Sequence, residues 1–162
     1  MKCFVIIPFD DAFDPVYEAV ARTAHDSVPG LDFQCYSLKE VHAAGKITDD
    51  IVYGLSEAAF CIADVTDCNA NVMWETGFAM ALGKPTILIS QEGGDLPFDL
   101  QQHRVLLYSS GELPELQRRL SKAIRDTLAR YELRGAGADE LPKADTTKQK
   151  TIALTGTMGA NE

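Results

Sequence analysis

The feature that most constrains this chain is a regular alternation of two hydrophobic periods. Short β-prone runs, "CFVIIPF" (3–9), "FQCYSL" (33–38), "AFCIADVT" (59–66), "PTILIS" (85–90) and "RVLLYS" (104–109), are separated by stretches with helical spacing. Continuous apolar runs of that length fit strands buried on both faces. Pro15 suits the first turn of a helix over 15–27, with Val16, Val20 and Ala24 on one stripe. Ile47, Ile51 and Leu55 recur every four residues and predict a second helix over 47–58. "NVMWETGFAMALG" predicts a third, stopped by Gly83, and Leu113, Leu116, Leu120, Ile124 and Leu128 predict a last one over 113–131. Strand–helix alternation with short connections predicts an α/β protein. The expected fold is flavodoxin-like (Rossmann-like), a five-stranded parallel sheet with helices on both faces, in order 2-1-3-4-5. In that order a crevice opens at the carboxyl ends of strands 1 and 3, where "PFDDAF" and "DVTDCNAN" both arrive.

At 162 residues the chain can bury a core without staples. Residues 1–131 are expected to form the domain. From 132 to 162 the composition turns to Gly, Ala, Thr, Lys and Asp, which fits either a disordered tail or a segment that docks on a neighbouring subunit. A net charge of −9 repels a nucleic-acid polymer or an anionic membrane, while a small nucleotide could still bind through backbone amides and a few side chains. No apolar run approaches the ~18 residues that span a bilayer, and the first residues lack a signal-peptide pattern. Cys3, Cys35, Cys61 and Cys68 show no metal spacing, and the first three sit in apolar runs as free buried thiols do. A soluble, cytoplasmic protein is expected.

From Asn71 to Gly83 the polar side chains are Asn71, Glu75 and Thr76. A helix apolar all round is buried on more than one side, so it is expected to lie against the sheet and against another subunit, as in a homodimer or higher homo-oligomer. Glu75 would share a face with Val72, Ala79 and Leu82. A buried carboxylate must be hydrogen-bonded or stand at a cleft. It either complements the helix N-terminus or serves chemistry that needs an anionic nucleophile, such as attack at a glycosyl carbon. Asp64, ending the third strand, is equally a crevice residue or a cap for the following turn. Asn69 and Asn71 fit turn and N-cap positions, which a ligand contact would not exclude. Trp74 and Phe78 are expected in core or interface, and His25, His42 and His103 on the surface. "QEGGDLPFDL" (91–100) is a lid or a plain connection; its Gly93-Gly94 lacks the lysine of a phosphate loop.

Taken together, "FVIIPFDDAFDPVYEAV", "GKITDDI" and "CIADVTDCNANVMWETGFAMALGKPTILI" resemble the nucleoside 2-deoxyribosyltransferase-like family, including its TIR-like relatives. The resemblance covers about residues 1–108. It implies that Glu75 is the nucleophile, forming a covalent (deoxy)ribosyl-enzyme. Asp50, with Asp49 as the near alternative, would place the sugar or protonate the base, and Pro8, Phe9 and Asp10 would cup the base. The implied ligand is a nucleoside, nucleotide or NAD, with no metal and no cofactor. Six residues before the glutamate the transferases commonly carry a second acid, where this chain has Asn69. Asparagine can hydrogen-bond a sugar but cannot supply a proton as an acid, which leaves N-glycoside hydrolysis beside base transfer. The "N-x-N-V" form is more typical of the TIR-like members, for which the resemblance implies NAD or nucleotide recognition in signalling or defence, with or without turnover. A phospho-receiver reading fits Asp10, Asp11 and Asp64, but puts its lysine, Lys84, before the fourth strand rather than after the fifth.

Overall fold

The computed structural model describes residues 1–30, 33–37, 47–93, 96 and 98–135. Five parallel strands form one sheet: β1 (Lys2–Ile6), β2 (Gln34–Tyr36), β3 (Phe60–Asp64), β4 (Thr86–Gln91) and β5 (Val105–Tyr108). Their order is β2-β1-β3-β4-β5, as the alternation predicts. The helices are α1 (Asp14–Ser27), α2 (Ile47–Glu57), α3 (Ala70–Ala81), the short α4 (Phe98–Gln101) and α5 (Leu113–Gly135). Two single turns of 3-10 helix, Asp11–Phe13 and Thr66–Cys68, follow β1 and β3 and have no counterpart in the sequence-based reading. Neither does α4.

The pleat of each strand divides the core in two. Cys3, Val5 and Ile7, with Phe60, Ile62, Ile87 and Ile89, face α1 and α5. Phe4 and Ile6, with Cys61, Ala63 and Leu88, face α2, α3 and α4. Continuous apolar runs are therefore required, because alternate residues serve opposite layers. In α1, Pro15 occupies the first turn, and the buried hydroxyls of Thr23 and Ser27 donate to carbonyls one turn back at 2.7 and 2.5 Å. Those bonds satisfy both groups without breaking the apolar stripe. The four cysteines form no disulfide.

Helix α5 continues to Gly135, beyond the expected domain boundary at 131. Residues 136–162, most of the expected tail, lie outside the described residues, as do His42 and positions 94, 95 and 97 of the 91–100 segment. Lys84 binds the carbonyls of Ser56 and Ala58 at 2.6 and 2.8 Å, tying the link into β4 to the end of α2. It is thus engaged at the amino end of the sheet, away from the acids a receiver would pair it with. No described helix is long and apolar enough to cross a membrane.

Candidate functional site

Strand order reverses about β1, so the crevice between β1 and β3 opens at their carboxyl ends. A cavity of about 230 Å³ lies there, lined by Ile7, Pro8, Phe9, Asp10, Asn69, Asn71, Val72 and Glu75. Six of the residues expected to act on a ligand meet in this wall. Asp64, Asp49 and Asp50 do not line it.

The floor is built by the start of α3. Asn69 is its N-cap: the side-chain Oδ1 accepts from the backbone N–H of Asn71 and Val72 at 3.0 and 3.3 Å. This satisfies two of the helix's open donors. The amide Nδ2 of Asn69 has no partner among the described residues and is left to donate. One turn further, Glu75 is only 7% exposed, beside Val72, Thr76 and Ala79 on the buried face. Leu82, expected on that face, is instead 42% exposed. It is the C-cap rather than a helix residue, followed by Gly83 in the left-handed region at φ 70°, and falls in line with Trp74 and Phe78.

Glu75 accepts no hydrogen bond from any described residue. Burial alone, with no donor or cation to oppose it, pushes its carboxyl up from 4.5 to about 7. The opposite wall comes from the end of β1 and the turn after it. Pro8 is buried and Phe9 half-exposed, and Asp10 caps its own 3-10 turn by accepting from Ala12 N–H at 2.9 Å. The cavity therefore holds two carboxyl groups, one buried and one open to water.

Asp64 takes the second of the two roles considered for it: it caps the turn after β3 and does not line the cavity. It is 1% exposed, and both oxygens are engaged. Oδ1 accepts from the hydroxyl and the backbone N–H of Thr66 at 2.5 and 3.1 Å, and Oδ2 from the Tyr108 hydroxyl at 2.6 Å. The Thr66 hydroxyl in turn accepts from Gln91 N–H at 2.9 Å. Burial raises the Asp64 carboxyl, and the donors from Thr66 and Tyr108 work against that rise. The cluster fastens the ends of β3, β4 and β5 to the turn that leads into α3. Within that turn Asp67 and Cys68 both lie in the left-handed region, at φ 56° and 51°, a conformation that two non-glycine residues hold only when their surroundings impose it. Thr66, Gln91 and Tyr108 carry no local sequence signal for this role.

Asp49 and Asp50 stand in the first turn of α2, Asp49 exposed and Asp50 half-buried. Trp74 and Phe78 stack at 5.6 Å between centroids on the outward side of α3, with Trp74 50% exposed. Among the described residues no group of three or more His, Cys, Asp or Glu is placed to hold a metal ion.

No family model matches the chain, and no curated protein does. Among solved structures, it is similar to a 2-deoxyribosyltransferase from the psychrotolerant bacterium Bacillus psychrosaccharolyticus. The two are 17% identical, with a TM-score of 0.53 over 72% of this chain and 90% of that one. The resemblance carried by the motifs is thus borne out at the level of the fold.

Proposed function

We propose that this chain cleaves or transfers at the N-glycosidic bond of a nucleoside or nucleotide, with Glu75 as the nucleophile. The observation that carries the proposal is a buried carboxylate without a partner, facing a cavity at the switch point of the sheet. A carboxylate kept only for structure would be expected to acquire donors, as Asp64 has. The 2-deoxyribosyltransferase of similar fold supports the reaction class.

In this reading Glu75 attacks C1′ of the sugar. A carbon–oxygen bond forms as the carbon–nitrogen bond breaks, and the bonding pair leaves with the base, which takes up a proton. Water then attacks C1′, gives its proton to the medium, and frees both the sugar and the Glu75 carboxylate. A second base in place of water completes transfer. In this reading the Nδ2 of Asn69 would donate to a sugar hydroxyl, while Pro8, Phe9 and Asp10 would bound the base. Asp50 would assist from α2, outside the described wall. Because Asn69 donates rather than supplying acid, the hydrolytic outcome is favoured over transfer. NAD or a nucleotide, recognised as in TIR-like proteins, is the second substrate class that this chemistry serves.

Incubation with deoxynucleosides, nucleotides and NAD should release free base, and Glu75→Ala should reduce that release by about 10³-fold or more. A wild-type chain inert on all three classes overturns the enzymatic reading. Ligand-induced thermal stabilisation without base release would identify a sensor that keeps the cavity.

A further inference from the structure

At the other end of the sheet the sign of the charge changes. A groove of about 450 Å³ runs between α5 and the starts of β4 and β5, floored by Ile87, Leu106 and Ala123. Arg104, Arg118, Arg119, Lys122 and Arg130 line it, against the single acid Asp126. Five of the chain's 15 Lys and Arg thus line one groove of a protein whose net charge is −9. Such a concentration offsets the field of the whole molecule locally and selects an anion.

The helical contributors, 118, 119, 122, 126 and 130, share one face of α5 and extend over ~18 Å of its length. Their side chains are not equally occupied. Glu115 takes the fork of Arg118 at 2.9 and 2.7 Å, and Arg119 donates one N–H to the Leu107 carbonyl at 2.8 Å. Lys122 lies 3.6 Å from Asp126, a loose pair on the surface. Arg104 and Arg130 have no hydrogen-bond or ion-pair partner among the described residues.

We propose that this groove binds a short chain of phosphoryl groups, either inorganic tripolyphosphate or the triphosphate arm of a nucleotide. Guanidinium forks match phosphate oxygens two at a time, and Arg outnumbers Lys here four to one. The row of cations suits a linear anion better than a single phosphate. No aromatic ring is among the lining residues, so the phosphates are recognised and a base is not stacked. A compact ligand feels the groove's own charges within a Debye length of about 8 Å. A long polyanion also meets the acidic remainder of the protein. The groove lies at the amino end of β4 and β5, and Glu75 at the carboxyl end of β1 and β3, so the two sites are separate and this inference is independent of the proposed catalysis.

Calorimetric titration of the full chain at about 0.15 M salt tests it, with tripolyphosphate, ATP, adenosine and a short DNA duplex as probes. Tripolyphosphate and ATP should both bind, and Arg104→Ala/Arg130→Ala should weaken both by about tenfold or more. Similar affinities, with no binding of adenosine, support recognition of the phosphoryl chain, whereas adenosine binding that the double arginine variant does not weaken overturns it. The melting temperature of the double variant should be unchanged, since both arginines are exposed and unpaired, and Glu75→Gln should bind tripolyphosphate as the wild type does. Failure of tripolyphosphate to bind overturns the proposal. So does undiminished binding by the double arginine variant, or tighter binding of the DNA than of either phosphate compound.

Discussion

Burial lifts the Glu75 carboxyl from 4.5 to about 7, and no donor compensates it. Because the folded-state value is the higher one, the unfolded chain surrenders its proton first as pH rises. Stability contributed at this position therefore falls between about pH 4.5 and 7 and is flat above. The penalty integrates to ~3 kcal/mol. Glu75→Gln keeps the shape and removes the charge. In denaturant titrations it should exceed the wild type by ~3 kcal/mol at pH 8, with the gap closing toward pH 4.5. A variant no more stable than the wild type at pH 8 would show that the carboxylate is not costly where it stands. Under the proposed chemistry the ionised form attacks, so base release should rise with pH through about 7 and then level off. Glu75 would then be most reactive under the conditions in which it most weakens the fold.

Among the elements, the Asp64 cluster decides how α3 meets the sheet. Tyr108→Phe removes one donor from a carboxylate that is 1% exposed. The expected loss is ~1–3 kcal/mol, measurable as a lowered denaturation midpoint with unchanged slope. The buried carboxyl should rise further, so the variant's deficit should be largest where Asp64 is ionised and should shrink on acidification. A Tyr108→Phe protein as stable as the wild type would show that its hydroxyl contributes nothing to the cluster. At this scale the sequence was informative about the strands and their order, because a strand buried on both faces needs an unbroken apolar run. It left Asp64 divided between cap and crevice, because the tyrosine that binds it lies 44 residues away and no local pattern links them. The turn at Asp67 and Cys68 was equally hidden: aspartate enters the left-handed region more readily than most residues, but cysteine does not, and no local pattern announces two such residues in a row. Leu82 was placed on the wrong face because a helical period was extended past the last helical residue. For the site, the wall of six residues followed from where "PFDDAF" and "DVTDCNAN" must end in a parallel sheet, and the burial of Glu75 from the apolar run around it, whereas its lack of a partner was visible only in the structure.

At the scale of the whole molecule, the outward side of α3 is an apolar surface open to a partner. Trp74, Phe78 and Leu82 follow at four-residue intervals, with Trp74 and Leu82 50% and 42% exposed and the two rings stacked. Tyr53 on neighbouring α2 is also largely exposed. Such a face fits the homo-oligomer that we propose from the apolar character of α3. Sedimentation velocity should find a dimer or larger assembly, shifted to monomer by Trp74→Lys with helical content unchanged. A wild type that sediments as a monomer at all accessible concentrations removes that role.

The unpaired state of Glu75 has one more consequence. A carboxyl near its midpoint at neutral pH makes the cavity a proton exchanger. At pH 7 a cationic occupant would drive the group to ionise and expel roughly half a proton, whereas an apolar one would draw roughly half a proton in. Heats of binding measured in buffers of differing ionisation enthalpy would then report the charge that the cavity prefers, even from ligands that never react.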